Sequence, residues 1–416
     1  MSDRLSEPLF DEERMRVYPR MALVAYALAA IALIGSATAM IDVFGKPLGY
    51  DFITFWGASH LTLQGDAMAA FDYRKILAAE QLAVPANTMV FLWHYPPIFQ
   101  MFIAPLALLP YALSWIVFVG GGLIAYVMAL RPLFNDRLAL RRDVLFLLLA
   151  FPGTFICVFH GQNSLYTVAL FVGGMLAMER GRPWLAGLAL GFLIYKPQFG
   201  VLLPLVFLVS RQWRAFLATG IVALAISGIA TIIFGPDLWV AFFHDEPLVR
   251  GIMESGFLPW SKMPSAFIFF RYLDVPQTIA YALQAVTAIC AAGCAGYVWW
   301  RKGVTRLSWA VLIAATLLVP PYIFDYEFAI LAPVIVILGS DMAERGARFI
   351  EKVALIALYA LPVFASPIAG VIHLQVGFLI LVLALSLAMY RSLAEELEPV
   401  LTDRPVRGSL SSSLPL

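Results

Sequence analysis

The sequence predicts an all-α integral membrane protein, a polytopic helical bundle, and three observations point to it. Hydrophobic residues make up 62% of the chain and charged residues 13%, with a mean hydropathy of +0.85, whereas a soluble domain carries about 45–50% apolar and about 25% charged residues. Apolar runs of about 20 residues recur along the whole length, as a hydrocarbon slab about 30 Å thick demands of helices. The short alternating segments of an outer-membrane barrel are absent from the sequence. The net charge of +1 supplies no basic face for nucleic acid, because the basic residues sit in short clusters between apolar runs. The three cysteines, Cys157, Cys290 and Cys294, fall inside apolar runs, where a reduced thiol behaves as a small hydrophobe. Cys290 and Cys294 share a helix face but lack the further ligands of a metal centre, so no metal site is expected.

The elements follow in order. Residues 1–20 are polar and read as a cytoplasmic N-terminal segment. Arg16 and Arg20 abut the first apolar run, 21–43, and the excess of positive charge on that side places the N-terminus in the cytoplasm. The run is longer than the about 7–15 residues of a signal-peptide core, so it reads as an uncleaved first helix. Residues 44–96 then form a first outer loop, on the periplasmic face of a bacterial inner membrane, with short surface helices expected at 55–63 and 73–82. From 97 to 130 the chain is apolar but broken at Pro105 and Pro110, long for one span and short for two. Arg131, Arg137, Arg141 and Arg142 argue that its end is cytoplasmic. A short re-entrant piece followed by a full helix fits, and so does a two-helix hairpin.

Next come a hairpin, 144–159 and 165–178, around His160-Gly161-Gln162-Asn163-Ser164, and two half-length apolar pieces, 184–195 and 199–209, flanking Lys196-Pro197-Gln198. Each piece is too short to cross a bilayer as a helix, so Lys196 is expected at a break partway into the membrane. Residues 215–234 read as a span, 235–276 as a second outer loop, and 277–300 as the return. Residues 307–319 lead out to the segment from Pro320 to Glu327, 329–338 leads back, and 353–365 and 374–390 are the last spans. The sum is about ten to twelve spans in a single domain, 21–390. The tail, 391–416, acidic and then rich in Ser and Pro, is expected to be disordered.

The polar groups sort by topology. Asp51, Asp66, Asp72 and His94 in the first outer loop, the 160–163 turn, Lys196, the second outer loop, and Asp325 with Glu327 are all expected near one membrane face. A charge at bilayer depth costs several kcal/mol, about 2.5–3.5 by insertion scales, so Lys196 needs a partner or a wet cavity. Taken singly, Lys196 could snorkel and Asp325 could cap a helix; together these groups fit a site better.

The residues also carry a family resemblance. Asp51-Phe52-Ile53-Thr54-Phe55-Trp56-Gly57-Ala58, then Gly65-Asp66, Phe71-Asp72 and Tyr95-Pro96-Pro97, resemble the first outer loop of glycosyltransferase family 87. The likeness continues through Gly161-Gln162-Asn163, Ala186-Gly187 to Lys196-Pro197, Arg211-Gln212-Trp213-Arg214, and Pro321-Tyr322 to Tyr326-Glu327. Glu327 departs from the pattern, where Asp is expected.

The resemblance implies a GT-C fold and an enzyme that moves a hexose, mannose-like, from a polyprenyl-phosphate donor to a glycan or glycolipid acceptor on the outer face. It places the general base at Asp51. Lys196, Arg271 and His94 are the candidates for the donor phosphate. Asp66, Asp72, Tyr95, Gln162, Asn163, Asp325 and Glu327 are candidates for sugar or acceptor binding, with a capping or turn role as the alternative for Asp66 and Asp72. Trp56, Trp93 and Tyr95 could stack on a sugar, although aromatics gather at membrane interfaces in any case. Membrane lipid and the polyprenyl-phosphate sugar are the expected partners; a divalent metal is neither required nor excluded. The competing reading is a transporter or flippase of a polyprenyl-linked or small polar substrate, which also uses broken helices and intramembrane charge.

Overall fold

The structure, a computed structural model, describes residues 12–134 and 138–402. The segment before residue 12, residues 135–137 with Arg137, the side chains of Arg141 and Arg142, and the tail from 403 lie outside the described residues. Among the described residues the chain is built from α- and 3-10 helices, with isolated bridges joining Thr38 to Ile41 and Ile41 to Pro47 in place of any named strand. It is an all-α polytopic membrane protein.

Among the described residues six helices are long and apolar enough to cross a membrane: Arg16–Ser36, Tyr111–Leu133, Trp213–Phe234, Gln277–Lys302, Asp325–Arg345 and Val376–Ala394. A seventh span would be the pair Phe349–Ala360 and Pro362–Ile372, bent by 76° at Leu361. The rest of the about ten to twelve spans expected from the usual length rule correspond to shorter apolar helices such as Ser164–Glu179 and Arg306–Leu317. Burial ranks these elements. The most apolar window of Asp325–Arg345 is 78% buried, against 6% for Arg16–Ser36 and 17% for Trp213–Phe234. The former is therefore central, and the latter two present apolar side chains outward, as helices facing lipid do.

Small residues set a close helix contact. The Pro183–Gly191 helix lies against Trp213–Phe234, and a Cβ built on Gly187 would fall 2.2 Å from the Ala218 Cβ. Backbones approach that closely only where a side chain is missing, the usual device between helices in lipid.

Several boundaries differ from expectation. The first helix stops at Ser36 rather than running to 43. Residues 37–50 fold instead into a tight turn around Asp42, whose carboxylate accepts from Phe44 N (2.9 Å), Lys46 N (2.9 Å) and the Tyr50 hydroxyl (2.7 Å). The stretch after Pro96 is a short piece, Pro97–Leu108, followed by one full helix from Tyr111, and not a two-helix hairpin. The second outer loop is largely helical, with Asp237–Glu254 and Ala266–Tyr272. The last helix, Val376–Thr402, passes the expected start of the tail. Arg391 gives the reason, since its guanidinium donates to Asp341 Oδ2 (2.6 Å), Glu351 Oε1 (2.9 Å) and Gly346 O (3.0 Å).

Beneath the first outer loop lies an aromatic core. Phe55 sits at its middle, with ring centroids 6.2 Å from Trp93, 5.4 Å from Tyr95, 5.2 Å from Phe99 and 5.6 Å from Phe118. Edge-on ring pairs of this kind contribute about 0.5–1.5 kcal/mol each beyond their buried area. The loop is thus anchored to Pro97–Ile103 and Tyr111–Leu130, and its start is held in place.

Candidate active site

Asp51 precedes the helix Phe52–Leu63 but does not cap it. Its Oδ2 instead accepts a 2.9 Å hydrogen bond from Gln162 Nε2, while its Oδ1 accepts none from the described residues. Gln162 is itself oriented, because its Oε1 accepts from the Tyr95 hydroxyl at 3.2 Å and from Asn163 N at 3.4 Å. This contact requires the 160–163 turn to lie against the 49–52 turn. Gly161 permits it: its φ is +60°, and a Cβ there would stand 2.6 Å from the Phe52 Cβ and 2.7 Å from the Gly49 oxygen.

A second layer lies behind Tyr95. Lys196, at the break between Phe192–Tyr195 and Pro197–Gly200, places its Nζ 2.5 Å from Glu327 Oε1, and the Ser164 hydroxyl donates to Glu327 Oε2 at 2.6 Å. Both charged side chains are 5% exposed. The ammonium also lies 5.8, 5.7 and 5.5 Å from the rings of Tyr95, Phe199 and Tyr326. Desolvating two ions is offset here by direct contact, a further hydrogen bond and ring faces. The Glu327 side chain therefore does have a role, as the counter-ion of Lys196.

The third group is cationic and more open. Lys262 Nζ lies 2.9 Å from His160 Nε2, and His160 Nδ1 lies 2.9 Å from Ile156 O. An ammonium can only donate and a carbonyl can only accept, so the imidazole carries its proton on Nδ1 and is neutral. Burial lowers the His160 pKa, and the Lys262 charge acts the same way, against the opposing pull of Asp325 and Asp51. The Tyr50 ring packs 5.4 Å from His160, and Lys46 Nζ lies 5.2 Å over Tyr50. Asp325 is 4% exposed and Asn163 1%; among the described residues the Asp325 Oδ1 and both side-chain polar atoms of Asn163 lack a well-formed hydrogen bond, with the Tyr95 hydroxyl beside Asn163. Buried polar atoms are paired in about 90% or more of cases, so unpaired ones around Asp51 are what a polyhydroxy ligand would satisfy.

The structure thus brings together Asp51, Tyr95, Gln162, Asn163, Lys196, Asp325 and Glu327. His94 is at the margin: its ring stacks 5.3 Å from Tyr95, its Nδ1 bonds Leu92 O at 3.1 Å, and it remains exposed. The surrounding protein lowers its pKa, with the Lys196 charge adding to the effect. Arg271 is engaged elsewhere, donating to Val275 O at 2.9 Å and lying 5.4 Å over Trp260. Asp66 pairs with Lys75 at 2.9 Å, and Asp72 caps Tyr73–Ala83 by accepting from Arg74 N and Lys75 N. Both are exposed and serve the loop's own structure. Trp56 and Trp93 are buried in the aromatic core, not offered to a sugar. Lys46, Tyr50, Ser164 and Lys262 were not among the site residues expected from sequence: Ser164 and Lys262 meet partners 163 and 102 positions away, and Lys46 and Tyr50, which contact each other, reach the site only because the Tyr50 ring packs on His160. A cavity of about 360 Å³, lined by Met68, Phe71, Asp237, Val240, His244 and Asp245 among others, involves none of these groups. Among the described residues no three His, Cys, Asp or Glu side chains are grouped to hold a metal ion.

Residues 93–321 match the model of glycosyltransferase family 87. Two curated relatives are the α-(1→3)-arabinofuranosyltransferases of Mycobacterium tuberculosis, strains CDC 1551 / Oshkosh and ATCC 25618 / H37Rv. Each is 31% identical over 169 residues, covering 38% of this chain and 39% of the relative. The match therefore spans well under half the length of these relatives. No solved structure matches.

Proposed function

The chain belongs to glycosyltransferase family 87, and from that premise we propose that it is a membrane glycosyltransferase that moves a sugar from a polyprenyl-phosphate donor to a glycan or lipid acceptor, with Asp51 as general base. The observation that carries the assignment is the Asp51 carboxylate, released from helix capping, held by Gln162 at one oxygen and accepting no hydrogen bond from the described residues at the other. The acceptor hydroxyl gives its proton to Asp51 as its oxygen bonds to the anomeric carbon. The bond from that carbon to the phosphate oxygen breaks, and the electron pair leaves with the phosphate. A phosphate departs as an anion without a general acid, so one correctly placed carboxylate suffices. Displacement from the opposite face inverts the anomeric centre, as in inverting glycosidases. Asn163 and Asp325 take sugar hydroxyls with their unpaired atoms.

The sugar is a hexose of the mannose kind on the family resemblance. The arabinofuranose named for the mycobacterial relatives makes a pentofuranose the second reading. The enzyme sits in a bacterial inner membrane with its N-terminus in the cytoplasm and Asp51 toward the periplasm. Incubating the purified protein in nanodiscs with polyprenyl-phosphate mannose or polyprenyl-phosphate arabinofuranose, and following sugar transfer by mass spectrometry, tests the proposal. Transfer by the wild type and none by Asp51→Asn supports it. Full transfer by Asp51→Asn removes the base assignment, and hydrolysis or transfer from neither donor removes the donor class.

A further inference from the structure

Lys196 is the cation deepest in the site, yet its charge is already matched at 2.5 Å by Glu327 within a shell of rings. Two other lysines are placed differently. Lys262 contacts neutral His160, which accepts its hydrogen bond without balancing its charge. Lys46 lies over the Tyr50 ring. Neither forms an ion pair with a carboxylate of the described residues, and the two flank one ring pair, Tyr50 and His160, from opposite outer segments. Each is half-buried, so water does not fully screen it.

Both are presented by built turns. The Lys262 turn is tied down at Trp260, whose Nε1 donates to Met253 O (2.8 Å), and at Gln375, whose Nε2 donates to Trp260 O (2.7 Å) and Ser261 O (3.2 Å). Asp42 ties the Lys46 turn in the same way. Like charges held near one another by rigid scaffolding repel; Lys262 accordingly depresses the Lys46 pKa, second to burial. An anion bound by both would relieve that repulsion.

We propose that Lys46 and Lys262 form a phosphate-ester clamp beside Asp51, which receives the donor's phosphate and holds it as it leaves, while Lys196 serves as a positioning residue for Glu327 and Tyr95. The donor identity rests on the function proposed above. The charge arithmetic suits two lysines. Before transfer the phosphodiester carries one negative charge and Asp51 another. Afterwards the carboxylic acid is neutral and the phosphate monoester carries both. The total is unchanged, but one negative charge has moved from the carboxylate to the phosphate, and two ammonium groups face it at the end. The clamp should therefore grip the monoester product more tightly than the diester donor, which makes a short isoprenyl monophosphate a suitable probe.

The test uses the full chain in zwitterionic nanodiscs, with binding measured for a short isoprenyl monophosphate, the corresponding isoprenol, inorganic phosphate, and phosphatidylglycerol vesicles. The variants are Lys46→Met with Lys262→Met, the paired Arg substitutions at the same positions, and Lys196→Met. Charge-assisted contacts are the strong ones, so the double Met variant should bind isoprenyl monophosphate at least about tenfold more weakly. The double Arg variant, which keeps the charge, should retain most of the affinity, and isoprenol binding should be the same in all. Affinity for the monophosphate within about twofold of wild type in the double Met variant, with thermal unfolding unchanged, overturns the clamp. So does a loss shared equally by the double Arg variant and by isoprenol, since that reports unfolding or a lipid-tail contact. Lysine-dependent binding of inorganic phosphate or phosphatidylglycerol, with none of the isoprenyl monophosphate, upholds the anion site and overturns the donor reading. Transfer activity untouched by the double Met substitution upholds the donor reading and overturns the clamp.

Discussion

Asp51 and Gln162 stand 111 positions apart in the chain and 2.9 Å apart in space. The carboxylate comes from the first outer loop and the amide from a turn between two later helices, and the amide in turn is aligned by Tyr95. A base built in this way is sensitive to the partner as well as to itself.

Gln162→Glu replaces that amide with a second carboxylate at the same distance. Two carboxylates sharing a site cannot both ionise freely, and one pKa rises strongly. The acid limb of the kcat/KM pH profile should move upward in Gln162→Glu, while Gln162→Ala should lower kcat without such a shift. A profile unchanged in both variants would mean that Gln162 does not touch the reacting carboxylate.

Lys196→Met and Glu327→Gln each leave one buried charge without its partner. Losses of about 3–5 kcal/mol are expected for either single change. The double substitution should recover much of that loss, because no bare charge remains. Thermal unfolding of the four proteins gives the double-mutant cycle, and additive losses would refute the pairing.

Gly161→Ala tests the contact between the two turns. The added Cβ meets Phe52 and the Gly49 backbone oxygen, and the φ of +60° disfavours it independently. A cost of about 1–3 kcal/mol is expected from the strain, together with a loss of transfer as Gln162 withdraws from Asp51. Wild-type activity in Gly161→Ala would show that the turns need not touch.

Glu80 makes a separate, pH-dependent prediction. It is fully buried in the surface helix Tyr73–Ala83, accepting from Phe91 N at 3.2 Å and Asn87 Nδ2 at 3.3 Å, and burial pushes its carboxyl up to about 9. A carboxyl whose pKa is higher folded than unfolded favours the folded state when protonated. Its contribution is therefore full below the unfolded value of 4.5 and declines as pH rises toward about 9. Melting temperature should fall across that window in the wild type and be flatter in Glu80→Gln, which keeps the shape without the titration. Parallel curves would refute a neutral Glu80. Since Glu80 fastens Phe91, three residues before His94, its ionisation should also loosen the segment that carries Tyr95.

Much of the fold was legible because hydrocarbon imposes a one-dimensional rule. Runs of sufficient apolar length, as at 215–234 and 277–300, became Trp213–Phe234 and Gln277–Lys302 with little error. The rule failed where polar chemistry ended a helix early, as Asp42 does after Ser36, or prolonged one, as Arg391 does beyond Tyr390. Both depend on partners that hydropathy does not register.

For the site, sequence alone determined which residue types were available and that Asp51, Gln162, Lys196 and Asp325 interrupt apolar surroundings, since a polar group there is costly enough to stand out. It could not determine which of them are spent on one another. Tertiary structure decided that Asp72 caps a helix, that Lys196 is neutralised by Glu327, and that Lys46 and Lys262 meet the Tyr50–His160 ring pair with no ion pair to a carboxylate of the described residues. The physical reason is that charge and hydrogen-bond capacity belong to single residues, whereas their satisfaction belongs to pairs, and these pairs are closed only when segments far apart in the chain are packed together.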